Sequence, residues 1–391
     1  MLRRRHLLAG AAIAASFKAL PARAADPGVS PDKITFGQAA ALDGPAASLG
    51  KGMRDGIAAA FGEVNRAGGV KGRHLDLVSR DDGYEPTRSV DATHALIEQD
   101  RVFALVGAVG TPTSQATQPI AAEAGVPFIA PMTGAAFLRD PNLRNVVNIR
   151  ASYSQETEVM VERLTKDLGA KHISVMYQDD AFGRAGLDGV KHALDRRGME
   201  IASAGTYERN TTAVRGAVLD IERGHPDAVI MIGAYKPCAE FIRVAQQVRL
   251  SSVFVNISFV GTDALAHELG SAAKGVVVTQ VVPFPRDASV PLVARYQAAL
   301  QAYDQGLAPG FISLEGYIAG RLAAAALDRL GGEPTREALL STILGAPPFD
   351  LDGFRLTYGP GSNQGSDEVY LTVLQEDGTA RSITNLAQVT G

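Results

Sequence analysis

The sequence predicts an α/β fold in two lobes with parallel-rich sheets. Three observations carry this. Short apolar segments of strand character alternate with longer helical patterns, the alternation restarts near residue 150, and 391 residues are too many for one small core.

The first block opens with a strand over 34–41, broken by Asp43-Gly44-Pro45. A helix over 50–66 follows, with Met53, Ile57, Ala60, Phe61 and Val64 at three- and four-residue spacing and Gly68-Gly69 as its stop. A strand over 75–79 runs into Asp81-Asp82-Gly83. The helix 86–99, strand 102–106, helix 113–124 and short strand 127–130 come next, and 145–149 closes the block. The second block repeats the pattern: helix 155–168, strand 172–177, helix 182–196, strand 201–204, helix 213–223, strand 228–232, helix 239–247 and strands 253–256 and 275–282. Three helical patterns follow over 291–305, 312–330 and 335–344. In the tail, 354–358 and 369–374 read as a hairpin or paired strands around Pro360-Gly361.

Residues 1–24 read as an export signal. Arg3, Arg4 and Arg5 precede an apolar stretch over 7–15, and Ala22-Arg23-Ala24 offers small residues to a signal peptidase. The apolar stretch is far short of the roughly 20 residues that cross a bilayer. Arg4-Arg5-His6-Leu7-Leu8 fits a twin-arginine signal and an ordinary basic leader equally. No cysteine follows the cleavage region, so no lipid anchor is expected there. The mature chain is expected to begin near Ala25, soluble in an exported compartment, with no membrane insertion. Loss of the five basic leader residues takes the formal charge from -4 to about -9. No basic patch is present, which argues against nucleic acid or an anionic membrane as partner.

Catalytic and metal signatures are missing from the sequence. Cys238 is alone, forms no internal disulfide, and has no histidine beside it, so burial is its expected role. None of His6, His74, His94, His172, His192, His225 and His267 has metal-ligand spacing. There is no G-x-S-x-G elbow and no phosphate-binding loop. Asp81-Asp82 and Asp179-Asp180 are expected to form turns and helix caps. No cofactor, metal or catalytic residue is expected.

Several segments together resemble the type I periplasmic solute-binding proteins of ABC importers, in the leucine/isoleucine/valine class. Asn65-Arg66-Ala67-Gly68-Gly69-Val70-Lys71-Gly72 is similar to the family's N-x-x-G-G-[VI]-x-G run. Leu77 to Asp82, Val106-Gly107, Ala124-Gly125-Val126-Pro127 and Gly183 match later points in order and spacing, so the resemblance covers nearly all of 32–391. It implies two Rossmann-like lobes joined by a three-crossover hinge, a periplasmic location, and a membrane permease as partner. Lobe one would be 32–149 plus 284–347, and lobe two 150–283 plus 348–391. The crossovers would lie near 148–150, 282–284 and 349–350.

Ligands of open α/β sheets sit beyond the C-terminal strand ends. In the loop 107–115, Thr111, Thr113 and Ser114 supply hydroxyls, and Pro112 suits the first turn of a helix. Such a start either caps itself or also attracts a carboxylate. The resemblance favours the second, because Thr111 lies where the family has a carboxylate-binding serine. In the loop 131–135, Met132 and Thr133 are candidates by the same resemblance, while Gly134 lacks a hydroxyl the family often has. Ala46 and Ser48 are small residues suited to a pocket wall, and Asp43 is a turn former. In lobe two, Phe182 stands where the family has tyrosine, as a ligand contact or core residue, and Tyr235 aligns with a ligand-contacting tyrosine. Ser258 takes the place of the acid that amino-acid binders use to hold the substrate ammonium. An ammonium buried without an anion is costly. The sequence therefore favours an aromatic or aliphatic carboxylate over an amino acid, with Phe182, Tyr235 and Phe259 as apolar surface. The alternative is that Asp263 or another acid supplies the charge, leaving a branched-chain or other amino-acid receptor. Other readings are a ligand sensor for a membrane protein and, with no nucleophile and base in view, an exported hydrolase.

Overall fold

The computed structural model describes residues 26–345 and 347–389, so the export signal lies outside the described residues. The first lobe begins with β1 (Lys33–Ala40), α1 (Ala47–Arg66), β2 (His74–Asp81), α2 (Pro86–His94), β3 (Ala104–Val106), α3 (Thr111–Glu123), β4 (Phe128–Ile129) and β5 (Val146–Val147). Its strands pair in parallel in the order β2-β1-β3-β4-β5. The second lobe runs α4 (Tyr153–Leu168), β6 (Ile173–Gln178), α5 (Ala181–Asp195), β7 (Ile201–Tyr207), α6 (Arg215–Glu222), β8 (Ala228–Ile232), α7 (Tyr235–Gln247), β9 (Val253–Asn256), α8 (Thr262–Leu269) and β10 (Val277–Gln280). The chain then returns to the first lobe with α9 (Pro291–Tyr303), α10 (Phe311–Arg329) and α11 (Arg336–Gly345), followed by the ribbon β11 (Phe349–Leu351) and β12 (Phe354–Leu356). Finally β13 (Tyr370–Leu374) and β14 (Ala380–Ile383) join the second sheet, whose order is β14-β13-β10-β9-β8-β6-β7. This is the two-lobed, parallel-rich α/β architecture that the sequence predicts.

Local chemistry explains the elements that position the cleft. All five residues of β8 are buried, as a central strand covered on both faces requires, whereas edge strand β7 alternates. Ser152 and Gln155 form a reciprocal capping box that starts α4, and Gly169, at φ +64°, ends it. Helices α1 and α10 meet backbone to backbone. A Cβ on Gly56 would lie 1.9 Å from the Ser313 carbonyl oxygen, and one on Gly316 would lie 2.3 Å from that of Met53.

The tail differs from expectation. Residues 354–358 and 369–374 do not pair with each other: β12 pairs with β11, and β13 pairs with β10 and β14. The hairpin turn is Asp352-Gly353, both at positive φ, a dipeptide that favours tight hairpins. Helix α8 is an additional element that the apolar pattern does not reveal.

Three crossings join the lobes. Near the first, Asn148 N–H donates to the Asn363 carbonyl at 2.8 Å, and Gly365 N–H donates to that of Asn148 at 2.8 Å. The middle crossing links β10 to α9. Such a hinge can bend without disturbing either sheet.

Candidate functional site

The segment after β1 meets the one after β8 through Ser48 and Tyr235, and the loop after β2 meets those after β7 and β9 through Glu85 with Arg209 and Tyr84 with Phe259. On the first side, α3 starts at Thr111 after Gly110, with no side-chain cap on its free N–H groups. The Thr111 hydroxyl lies 2.7 Å from that of Thr133, both buried. Ser114 Oγ is buried with no hydrogen-bond partner. Thr113 instead donates to the carbonyls of Val109 and Gly110, so its hydroxyl is spent on its own turn. Met132 is buried, and its N–H and carbonyl are engaged with Ala108 and Gly110. Gly134 has no space for a hydroxyl-bearing side chain, because a Cβ there would lie 2.5 Å from Tyr153. The Tyr153 phenol, buried and without a well-formed hydrogen bond, lies beside Thr133 and Thr111 and supplies a hydroxyl at this corner.

On the second side, Phe182 is fully buried, with ring centroids 5.5 Å from Tyr153 and 4.6 Å from Phe259. Asp180 caps its helix by accepting from Phe182 N–H at 2.9 Å, the cap role expected for that pair. Ala46 is buried just before α1, while Ser48 is exposed in its first turn. Ser48 N–H donates to the Tyr235 hydroxyl at 3.5 Å, which brings those two residues together across the cleft. They sit at the mouth, beside a groove of about 350 Å³ that also touches Asp263 and Arg286.

Ser258 is buried, and it is not without a charge. The Glu156 carboxylate accepts from Ser258 N–H at 3.0 Å and from its hydroxyl at 2.9 Å, as well as from Thr279 Oγ. Arg150, buried in the first crossing, donates to Glu156 at 3.0 Å, to Ser258 Oγ, and to Glu315 of α10 at 3.3 Å. Two carboxylates thus share one guanidinium. Burial outweighs Arg150 and raises the Glu315 pKa. Asp263 plays a different part: its carboxylate accepts from Phe311 N–H at 3.3 Å, capping α10 across the lobes, and faces Arg286 at 3.5 Å.

Tyr84, Tyr153, Arg150, Glu156 and Glu315 are absent from the sequence-level site. Two had a local signal: Tyr84 follows a strand end, and Glu156 lies in the first turn after a Ser-x-x-Gln capping box. Their convergence on Ser258 and Gly110 is long-range and has no local signature. Cys238 is buried and its thiol pKa is pushed up by burial, so it is inert, as expected. Among the described residues no helix is long and apolar enough to cross a membrane.

A family model described as periplasmic binding protein matches residues 33–379. The solved structure of a possible leucine/isoleucine/valine-binding protein from Rhodopirellula baltica SH 1 is 38% identical, covering 92% of this chain and 98% of that one, with a TM-score of 0.88. An amino acid binding protein of Pseudomonas aeruginosa is 24% identical over 82% of this chain and 87% of its own length. A Leu/Ile/Val-binding protein of Rhizobium johnstonii is 24% identical over 83% and 87%.

These findings overturn the preference for an aromatic or aliphatic acid over an amino acid. These three relatives are named for amino acids. The physical premise is incomplete as well, since Ser258 is bonded to the Glu156 carboxylate, which is itself paired with Arg150. The chain belongs to the type I periplasmic solute-binding proteins, in the branched-chain amino-acid (Leu/Ile/Val) family, and is a periplasmic binding protein of transport rather than an enzyme.

Proposed function

We propose that this protein is the amino-acid-capturing subunit of an ABC importer, closing on a branched-chain amino acid and handing it to a membrane permease. The observation that carries the proposal is the pairing of two opposed anchors. Buried hydroxyls of Thr111, Thr133 and Tyr153, with unpartnered Ser114 Oγ, cluster at an uncapped helix start. The Glu156 carboxylate stands opposite, at Ser258. The first suits a carboxylate, and the second would suit an ammonium because Glu156 and Glu315 together exceed the single charge of Arg150. Thr113 would contribute its N–H rather than its hydroxyl, and Met132 and Ala46 would shape the wall. Phe182 and Phe259 would meet the ligand side chain, while Ser48 and Tyr235 would close the mouth.

The lobes would be 32–149 with 284–347 and 150–283 with 348–391. The ion pairs of Asp352 with Arg295 and Arg321 favour keeping the β11–β12 ribbon on lobe one and moving the last crossing to near Asn363. Coupling to transport needs only that ligand bind the closed state better than the open one.

Calorimetric titration of the exported protein tests this with leucine, its deaminated acid and isopentylamine, which lacks the carboxylate. Leucine should bind, and each analogue should bind at least about a hundredfold more weakly, because each leaves a buried polar cluster unpaired. Equal binding of the deaminated acid would remove the ammonium anchor from the proposal.

A further inference from the structure

Tyr84 stands out among the residues of the cleft. It follows β2 on a turn held by Asp82, which accepts from Tyr84 N–H at 2.8 Å and from Ser89 Oγ at 2.8 Å. Its φ is +61°, a left-handed conformation that a bulky side chain adopts only under constraint. The ring is fully buried and packs against Gly110, where an added Cβ would fall 2.2 Å from Tyr84 Cε2. Gly110 immediately precedes the hydroxyl-lined start of α3. The ring also meets Phe259, the neighbour of Ser258, at 5.8 Å between centroids. Its hydroxyl accepts from Gln178 Nε2 of the second lobe at 3.2 Å, and Gln178 Oε1 accepts from Tyr207 at 3.0 Å. One side chain of the first lobe thus packs on the chain neighbours of Thr111 and Ser258 and is tied into the second lobe's wall.

We infer that Tyr84 is the size-determining residue of this receptor: its ring ends the ligand's side-chain pocket, and its hydroxyl fastens that end to the closed second lobe through Gln178. The inference rests on the amino-acid reading above. A ligand held by its carboxylate at Thr111 and Thr133 and by its ammonium at Glu156 has its side chain facing the aromatic wall, and Tyr84 sets the depth available. On this inference a branched aliphatic chain should stop short of the ring, and an aromatic side chain should collide with it.

Titration of leucine and phenylalanine into the wild type, Tyr84→Gly and Tyr84→Phe tests this. Glycine suits the positive φ, so the first variant removes the ring without backbone strain. The wild type should prefer leucine. Tyr84→Gly should shift the leucine-to-phenylalanine affinity ratio at least tenfold toward phenylalanine. Tyr84→Phe should keep the wild-type ratio while binding leucine several-fold more weakly, because only the tie to Gln178 is lost. An unchanged ratio in Tyr84→Gly, or a wild type that prefers phenylalanine, overturns the size role. A wild type that binds leucine while Tyr84→Phe matches it overturns the fastening role. Binding of neither amino acid by the wild type would instead defeat the receptor reading on which this rests.

Discussion

The two walls of the cleft hold polarity in opposite ways. The first-lobe wall is neutral: hydroxyls of Thr111, Thr133 and Ser114 around a helix start. The second-lobe wall is aromatic and ionic, with Phe182 and Phe259 beside the buried Arg150 and Glu156 pair, to which Glu315 is added from the first lobe. A neutral wall can be empty or occupied at modest cost to the fold, because hydroxyls exchange partners easily. Buried charges cannot, since any group left unpaired in a low dielectric is expensive. Arg150 also lies in the first crossing and bonds a carboxylate from each lobe. The ionic wall is therefore part of the hinge as well as of the cleft.

The largest expected effect breaks the ionic wall. Glu156 accepts four hydrogen bonds, from Arg150, Ser258 N–H, Ser258 Oγ and Thr279 Oγ. Glutamine keeps the shape but turns an NH2 group toward donors. Glu156→Gln should lose about 3–5 kcal/mol of stability in denaturant unfolding. Among the described residues Glu315 hydrogen-bonds only to Arg150, and burial already favours its neutral form. Glu315→Gln should change stability by less than about 1 kcal/mol. Similar losses for both variants would mean that the three groups act as one unit rather than as a pair with a spare acid.

A second test asks whether the first wall is free of buried charge. Asp82, beneath the Tyr84 turn, is fully buried, and burial, outweighing its bonds to Tyr84 and Ser89, raises its carboxyl from 3.8 to about 6. The folded state then holds a proton that the unfolded chain has released. Stability from this group is present below about pH 4 and lost as pH rises through about 6, a swing of roughly 3 kcal/mol. Asp82→Asn keeps an acceptor for Tyr84 N–H and can donate to Ser89, so it should flatten that swing. Subtracting the two unfolding profiles between pH 4 and 7 isolates it. Parallel profiles would mean that Asp82 is ionised throughout.

This contrast between the walls also governs what the sequence reveals. Strands such as β8 and β9 are legible because an apolar run bounded by turn residues has one stable fate in an α/β sheet. The neutral wall is legible too, since hydroxyls next to Pro112 at a strand end carry their meaning locally. The ionic wall is not. Ser258 shows only a missing acid, and the acid comes from α4 through a turn that chain order does not place. The turn at Asp352-Gly353 was legible in principle, but apolar periodicity pointed past it to the later strand.

The smallest effect on stability should accompany a clear effect on binding, and it separates the walls most directly. Thr111 and Thr133 bond chiefly to each other, with Thr133 also accepting from Ala135 N–H at 3.2 Å. Replacing both by valine removes donor and acceptor together and preserves shape, a change that is often nearly neutral for folding. The double variant should lose less than about 1 kcal/mol of stability. A ligand carboxylate at this corner would lose two charge-assisted hydrogen bonds, so leucine affinity should fall by about tenfold to a thousandfold. Unfolding and titration of the same preparation read both quantities. Retained affinity would shift the carboxylate to the N–H groups of the α3 start, with the hydroxyls left as helix furniture. A large stability loss would show that the neutral wall supports the fold as much as the ionic one does.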